Sequence, residues 1–126
     1  MKARNRVDAH LPLTHLTYHV LLVLAGTRLH GYGIIKEVFE QTDGSMDLET
    51  GTLYAAIKRL RDEELIDVAP TPSEGPPTDS RRRYYKLTPF GREVLRAESA
   101  RLARLVNLAR EKDIVRDVAQ TRVESP

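Results

Sequence analysis

Apolar residues in this chain recur at steps of three and four over four long stretches, and at steps of two over two short ones. From Leu13 to Ala25, the positions Leu16, Val20, Leu21, Val23 and Leu24 crowd one broad helical face. Pro12 suits the beginning of that helix and Gly26 its end. A second helix is expected after "LHGYG", from about Gly31 to Gln41, burying Ile34, Ile35, Val38 and Phe39. "TDGSMDL" then supplies turn chemistry, with Gly44 free to take a positive backbone angle. The stretch "ETGTLYAAIKRLRDEELI", residues 49–66, makes the third helix: Leu53, Ala56, Ile57 and Leu60 form a face that wants a core, and Glu64 falls at the next step. Its other side starts with Gly51, Thr52 and Tyr54 and then carries Lys58, Arg59 and Arg61.

Period-two patterning takes over in "LIDVAP", where Ile66 and Val68 alternate, and again in "RRRYYKLT", where Tyr84 or Tyr85 alternates against Lys86 and Leu87. Between them, "TPSEGPPTDS" has too much proline for a helix or central strand, so the two strands read as a hairpin with a long tip. The last stretch, "TPFGREVLRAESARLARLVNLAREKD", is a long helix with Thr88 as N-cap and Pro89 in its first position. Leu95, Ser99, Leu102, Val106 and Ala109 form its stripe. Val94 and Leu95 belong to the core. Beyond about residue 98 nothing else in the chain is left to cover the helix, so Leu102, Leu105, Val106 and Ala109 present an apolar face. With Leu13 and Leu16 of the first helix, that face predicts a twofold homodimer.

Three helices, a hairpin and a helix give the expected fold class: mainly α with a small β-hairpin, a winged helix-turn-helix plus a C-terminal dimerisation helix. The division is a flexible arm over 1–12, the winged domain over 13–87, the dimerisation helix over 88–113 and a frayed tail over 114–126.

Composition narrows the function classes. A length of 126 residues suits one domain with its own core. The absence of cysteine rules out disulfides and thiolate metal sites. No apolar run reaches the roughly 18 residues of a membrane span, and "MKARNRVDAHLPLTH" lacks a signal-peptide core. A soluble cytoplasmic protein with no membrane partner is expected. The net charge of +2 does not announce a polyanion partner, but its distribution matters more. Arg81, Arg82, Arg83 and Lys86 form a basic cluster, whereas Asp43, Asp47, Glu49, Asp62, Glu63 and Glu64 are acidic.

Four segments, "LHGYGIIKEV" at 29–38, "GTLYAAIKRL" at 51–60, "LI" at 65–66 and "RRYYKLTPFGREVL" at 82–95, occur in an order and spacing that resembles the PadR family of bacterial transcriptional regulators. The likeness spans most of residues 13–95. It implies a winged-helix homodimer acting as a repressor on an inverted-repeat operator in double-stranded DNA, of the short type with one long helix after the wing. It also leaves room for a small-molecule effector at the dimer interface, where the lack of Trp excludes a sandwich built on that ring. The chain departs from the family pattern at four places. Glu49 replaces a common capping Ser, for which Thr50 or Asp47 can substitute; Ala55 replaces a proline; Glu64 replaces a glycine; and the wing tip is longer and richer in proline.

The expected DNA contacts are Gly51, Thr52, Tyr54, Lys58, Arg59, Arg81, Arg82, Arg83 and Tyr32. Gly51 lets a phosphate approach the helix start, where unpaired N–H groups favour an anion. Thr52 and Tyr54 can donate to phosphate oxygens, which fixes register without reading sequence. Lys58 points to the backbone, and Arg59 to backbone or a guanine edge. The wing arginines suit flanking phosphates or the minor groove. Blander readings stand beside these. Tyr54 also reads as a half-buried core phenol, Lys58 and especially Arg61 as solvated charges, and the arginine triplet as protection for an edge strand. His30, Gly31 and Tyr32 open the second helix and are candidates for phosphate contact, while Gly31 and Tyr32 read equally as shaping the turn. His15 and His19 have a metal-compatible spacing but no third ligand, so they read as surface or interface histidines, with no metal and no cofactor expected. No catalytic arrangement is present, so no catalytic residue is assigned. A reading from another class is a winged-helix adaptor that binds protein and not nucleic acid, suggested by the acids at 62–64.

Overall fold

The computed structural model describes residues 6–71 and 82–116. The elements are α1 (His15–Gly26), β1 (Leu29–His30), α2 (Gly31–Gln41), α3 (Thr50–Asp62), β2 (Ile66–Ala69), β3 (Tyr84–Leu87) and α4 (Pro89–Glu111). The antiparallel sheet has the order β1-β3-β2, with Ile66 opposite Leu87, Val68 opposite Tyr85, and Leu29 opposite Tyr85 on the other edge. This is a winged helix with its hairpin rooted in residues 66–69 and 84–87; the tip and Arg81 lie outside the described residues.

The helix stripes meet in one core. Leu21, Ile34, Leu53, Leu60, Leu65, Ile66 and Val94 are fully buried, each worth about 1.5–3 kcal/mol relative to exposure. On α3 the buried set is Leu53, Ala56, Ile57 and Leu60. Glu64 leaves that stripe: at φ 63° it is left-handed, the Glu64 N–H reaches the Arg61 carbonyl at 2.9 Å, and the Leu65 N–H reaches the Leu60 carbonyl at 2.9 Å. That is a Schellman ending built without glycine. Asp43, at φ 51°, closes α2 in the same way one residue before Gly44, itself at φ 81°.

Four sequence expectations need correction. The arm is not free from residue 6 onward: Val7 joins the core, Leu11 packs against it, and Arg6 and His10 rest on the Phe90 ring at 4.3 and 5.5 Å. Isolated apolar residues with no period carry no helical signal, so the pattern could not show this. Pro12 does not open α1; Thr14 does, accepting the Thr17 N–H at 3.2 Å. Phe39 is 44% exposed instead of buried, its ring lying over Gly44. The third strand, β1, is two residues long and has no periodicity to detect.

At the start of α4, Thr88 accepts the Gly91 N–H at 2.9 Å and donates to the Glu64 carbonyl at 2.6 Å, with Pro89 following as expected. The Thr88 N–H donates to the Leu65 carbonyl at 3.1 Å. Gly91 lies against the same carbonyl, and an added Cβ would collide with it. Further along, Glu98 is buried, accepting the Leu13 N–H at 2.9 Å and two hydrogen bonds from Arg101 at 2.6 and 3.0 Å. Ser99 meets the Tyr18 hydroxyl at 2.7 Å, so its place on the stripe serves contact with α1.

Candidate nucleic-acid interface

The site is built around the start of α3. Glu49 takes the N-cap position with extended backbone and makes no side-chain cap bond. Neither Thr50 nor Asp47 supplies the cap expected of them; Thr50 is already the first helical residue. Gly51 and Thr52 are exposed, and the space where a Gly51 Cβ would stand is open. The first-turn N–H groups therefore face outward at the positive end of the helix, an arrangement that suits an anion.

Tyr54, 46% exposed, serves both of its readings. Its phenol packs on buried Gly31 at the start of α2, where an added Cβ would run into the phenol oxygen, while the remaining surface stays open. Beside it the His30 ring caps α2, with Nδ1 accepting the Gly33 N–H at 3.0 Å. Tyr32, 68% exposed, stacks near-parallel on that ring, and Tyr84 meets it edge-on. The Arg82 Nη1 is 3.3 Å from His30 Nε2. With Nδ1 accepting, a neutral imidazole carries its proton on Nε2, so donor faces donor and the guanidinium is not consumed by this contact. Burial first, and the Arg82 charge second, push the His30 pKa below its ordinary value, which keeps the capping nitrogen unprotonated. Tyr32, Tyr54, Arg82 and Arg83 thus line one depression of about 450 Å³ between α2, α3 and the wing. Buried Tyr85 forms its floor; burial first, then Tyr54, push its phenol pKa up.

The cations of α3 separate by about 100° of helix per residue. Lys58 lies on the exposed side, paired with Asp62 at 3.1 Å. Exposed pairs at this spacing are worth only about 0.3–0.5 kcal/mol, so a phosphate can displace Asp62. Arg59 is turned toward α1: its Nη2 donates to Thr17 at 2.8 Å and its Nη1 lies 3.5 Å from Glu63. Arg59 thus ties α3 to α1 while nearly half of its side-chain surface stays exposed. Arg61 is exposed beside Tyr85 and Asp67, in a second depression on the β2 side.

At the other end, Leu105, Val106 and Leu108 are 45, 44 and 45% exposed, while Leu102 and Ala109 are half-buried. Leu108 adds to the stripe read from the sequence. Leu13 and Leu16 are half-buried against their own core. Among the described residues, no helix is long and apolar enough to cross a membrane, and no three His, Asp or Glu side chains converge as a metal site.

Comparison with known proteins gives the frame for this geometry. A family model, the transcriptional regulator PadR-like family, matches residues 20–97. A 37.1 kDa uncharacterized protein in transposon Tn4556 of Streptomyces fradiae is 41% identical over 86 residues, covering 68% of this chain and 22% of that protein. A PadR family transcription regulator from Clostridium difficile superposes with a TM-score of 0.63 at 25% identity, covering 77% of this chain and 96% of the other. Bacillus subtilis PadR, in complex with operator DNA, matches with a TM-score of 0.56 at 27% identity, over 68% of this chain and 47% of that one. The chain therefore spans about a fifth of the Streptomyces protein and about half of the Bacillus one.

Proposed function

The chain belongs to the PadR-like family of transcriptional regulators, a family of regulators and not of enzymes, and from that premise we propose that it binds double-stranded DNA as a homodimer and represses transcription from an inverted-repeat operator in the cytoplasm. The observation that carries this reading is the meeting, in one depression, of Tyr54 from the exposed first turns of α3 with Tyr32, Arg82 and Arg83. In this reading α3 enters the major groove. The N–H groups at Gly51 and Thr52, the Thr52 hydroxyl and the open edge of Tyr54 meet phosphates. Lys58 exchanges Asp62 for a phosphate, and Arg82 and Arg83, with Arg81 beside them in sequence, follow the backbone flanking the wing. Leu102, Leu105, Val106, Leu108 and Ala109 meet their counterparts in a second copy, with the remaining surface of Leu13 and Leu16 at the margin. A small-molecule effector that relieves repression would bind where those helices leave room.

The experiment is anisotropy of a labelled fragment from the protein's own upstream region across a salt series, with wild type, Lys58→Ala and Arg82→Ala/Arg83→Ala. Affinity should fall as salt rises, and each phosphate-bound cation removed should lower the log–log slope by about 1. A footprint should show two related patches with centres about 34 Å apart, or a multiple of that spacing. No binding at low salt would favour the adaptor reading, and equal affinity in all three proteins would remove Lys58, Arg82 and Arg83 from the contact.

A further inference from the structure

The junction of α2 with the wing holds a conflict that the contacts above leave standing. The Gly33 backbone N–H can only donate, and it meets His30 Nδ1 at 3.0 Å. A neutral ring that accepts there carries its hydrogen on Nε2. The group facing Nε2, at 3.3 Å, is Arg82 Nη1, which also can only donate. Two donors therefore confront each other in a depression lined by Arg82 and Arg83 and, among the described residues, by no Asp or Glu. Flipping the ring would carry Nδ1 away from Gly33 and undo the cap. Neighbouring rings hold it as well, Tyr32 lying near-parallel to it and Tyr84 meeting it edge-on. What the pair lacks is an acceptor able to take two hydrogen bonds, and an anionic oxygen serves best.

Resting on the DNA-binding reading and deepening it, we propose that His30 and Arg82 share one phosphate of the DNA backbone, His30 donating from Nε2–H as a neutral imidazole. The Gly33 cap stays made, and the guanidinium moves from the ring to donate beside it. The two residues then divide the work. Arg82, on an exposed side chain, supplies the charge. His30, fixed by its cap and by two aromatic rings, supplies the direction without adding charge. A phosphate held in this way sets the register of the domain on the duplex without reading its sequence.

The test compares wild type, His30→Asn, Arg82→Ala and the double variant on the upstream fragment across a salt series. Asn is among the best N-cap residues and keeps an acceptor for the Gly33 N–H, but it is too short to donate from the Nε2 position. The unfolding midpoint of His30→Asn should therefore match wild type. Its affinity should fall about 10-fold at every salt concentration with the slope unchanged, because no charge has been removed. Arg82→Ala should lower the slope by about 1, and the double variant should lose less than the two single losses combined, since both act on one phosphate. Imidazole NMR of the wild-type full chain gives a second reading that needs neither variant nor operator. At about pH 7.5, where histidine is neutral, His30 should show the Nε2–H tautomer, and inorganic phosphate should shift its signals ahead of those of His10, His15 and His19. Shifts at His30 in a wild type that binds no DNA would sink the DNA-binding reading and leave the anion site standing. Wild-type affinity in a folded His30→Asn, a slope lowered by that variant, an Nδ1–H tautomer, or His30 signals unmoved by phosphate would each overturn the proposal, and the DNA-binding reading would survive wherever the wild type binds the fragment.

Discussion

Two helix starts in this molecule are finished in opposite ways. At α4, Thr88 is held between the Gly91 N–H and the Glu64 carbonyl, and Gly91 is pressed against the Leu65 backbone. At α3, Glu49 gives no cap bond, Gly51 faces open space, and the first turn is exposed. The starts of α1 and α2 resemble that of α4, being closed by Thr14 and His30. A capping side chain is worth roughly 1 kcal/mol, so leaving the start of α3 uncapped forgoes stability at the place where an anion would bind. The closed start fixes the architecture, and the open one offers free donors on its surface.

The largest effect should come from filling the closed start. Gly91→Ala sets a Cβ against backbone that cannot yield like a side chain, and urea unfolding should show a loss of about 3 kcal/mol. A neutral effect would mean that α4 does not seat as closely as described. Next comes Glu98, the second anchor of α4. Hydrogen bonds from Arg101, helped by the Leu13 N–H, hold its carboxyl below the ordinary glutamate range, against burial, which pushes it up. A carboxyl lowered on folding contributes stability above its unfolded-state pKa and loses it as pH falls through the folded value. Glu98→Gln should therefore cost about 2 kcal/mol at neutral pH, with the deficit narrowing when unfolding is repeated near pH 3. A constant deficit would show that shape, and not charge, is what Glu98 provides. The smallest change closes the open start. Glu49→Ser supplies a cap but gives up a favourable carboxylate near the helix dipole, so a gain of about 0.5 kcal/mol is expected. In the DNA-binding reading it also removes a like charge from the phosphates, so affinity in the anisotropy assay should rise; weaker binding would mean that the new hydroxyl occupies the donors the DNA needs.

The unobstructed Gly51–Thr52 opening of α3 was legible in the sequence, though its missing cap was not, and so was the core beneath it, because a helical stripe and a glycine–threonine opening are local features. The α2 limits and the Thr88–Pro89 start of α4 were legible for the same reason. Features that depend on a neighbouring element were not. Lys58 and Arg59 are adjacent cations, and only the position of Thr17 on α1 tells that the second reaches across to that helix. Glu98 reads as one more solvated charge until Leu13 and Arg101 are brought to it. His30 read as a phosphate contact at the start of the second helix, and its capping of Gly33 shows only once the ring is placed, edge-on to Tyr84 of the wing. The residues at 72–81, where the proline-rich tip falls, lie outside the described structure.

Leu65 carries a mechanical consequence. Its N–H ends α3 on the Leu60 carbonyl, and its own carbonyl receives the Thr88 N–H and braces Gly91 at the start of α4. The last turn of one helix and the first turn of the other thus grip opposite sides of a single residue that has no exposed surface. The long rod of α4 is therefore coupled to the end of α3 through the backbone of one buried residue, with no loop between them to take up slack.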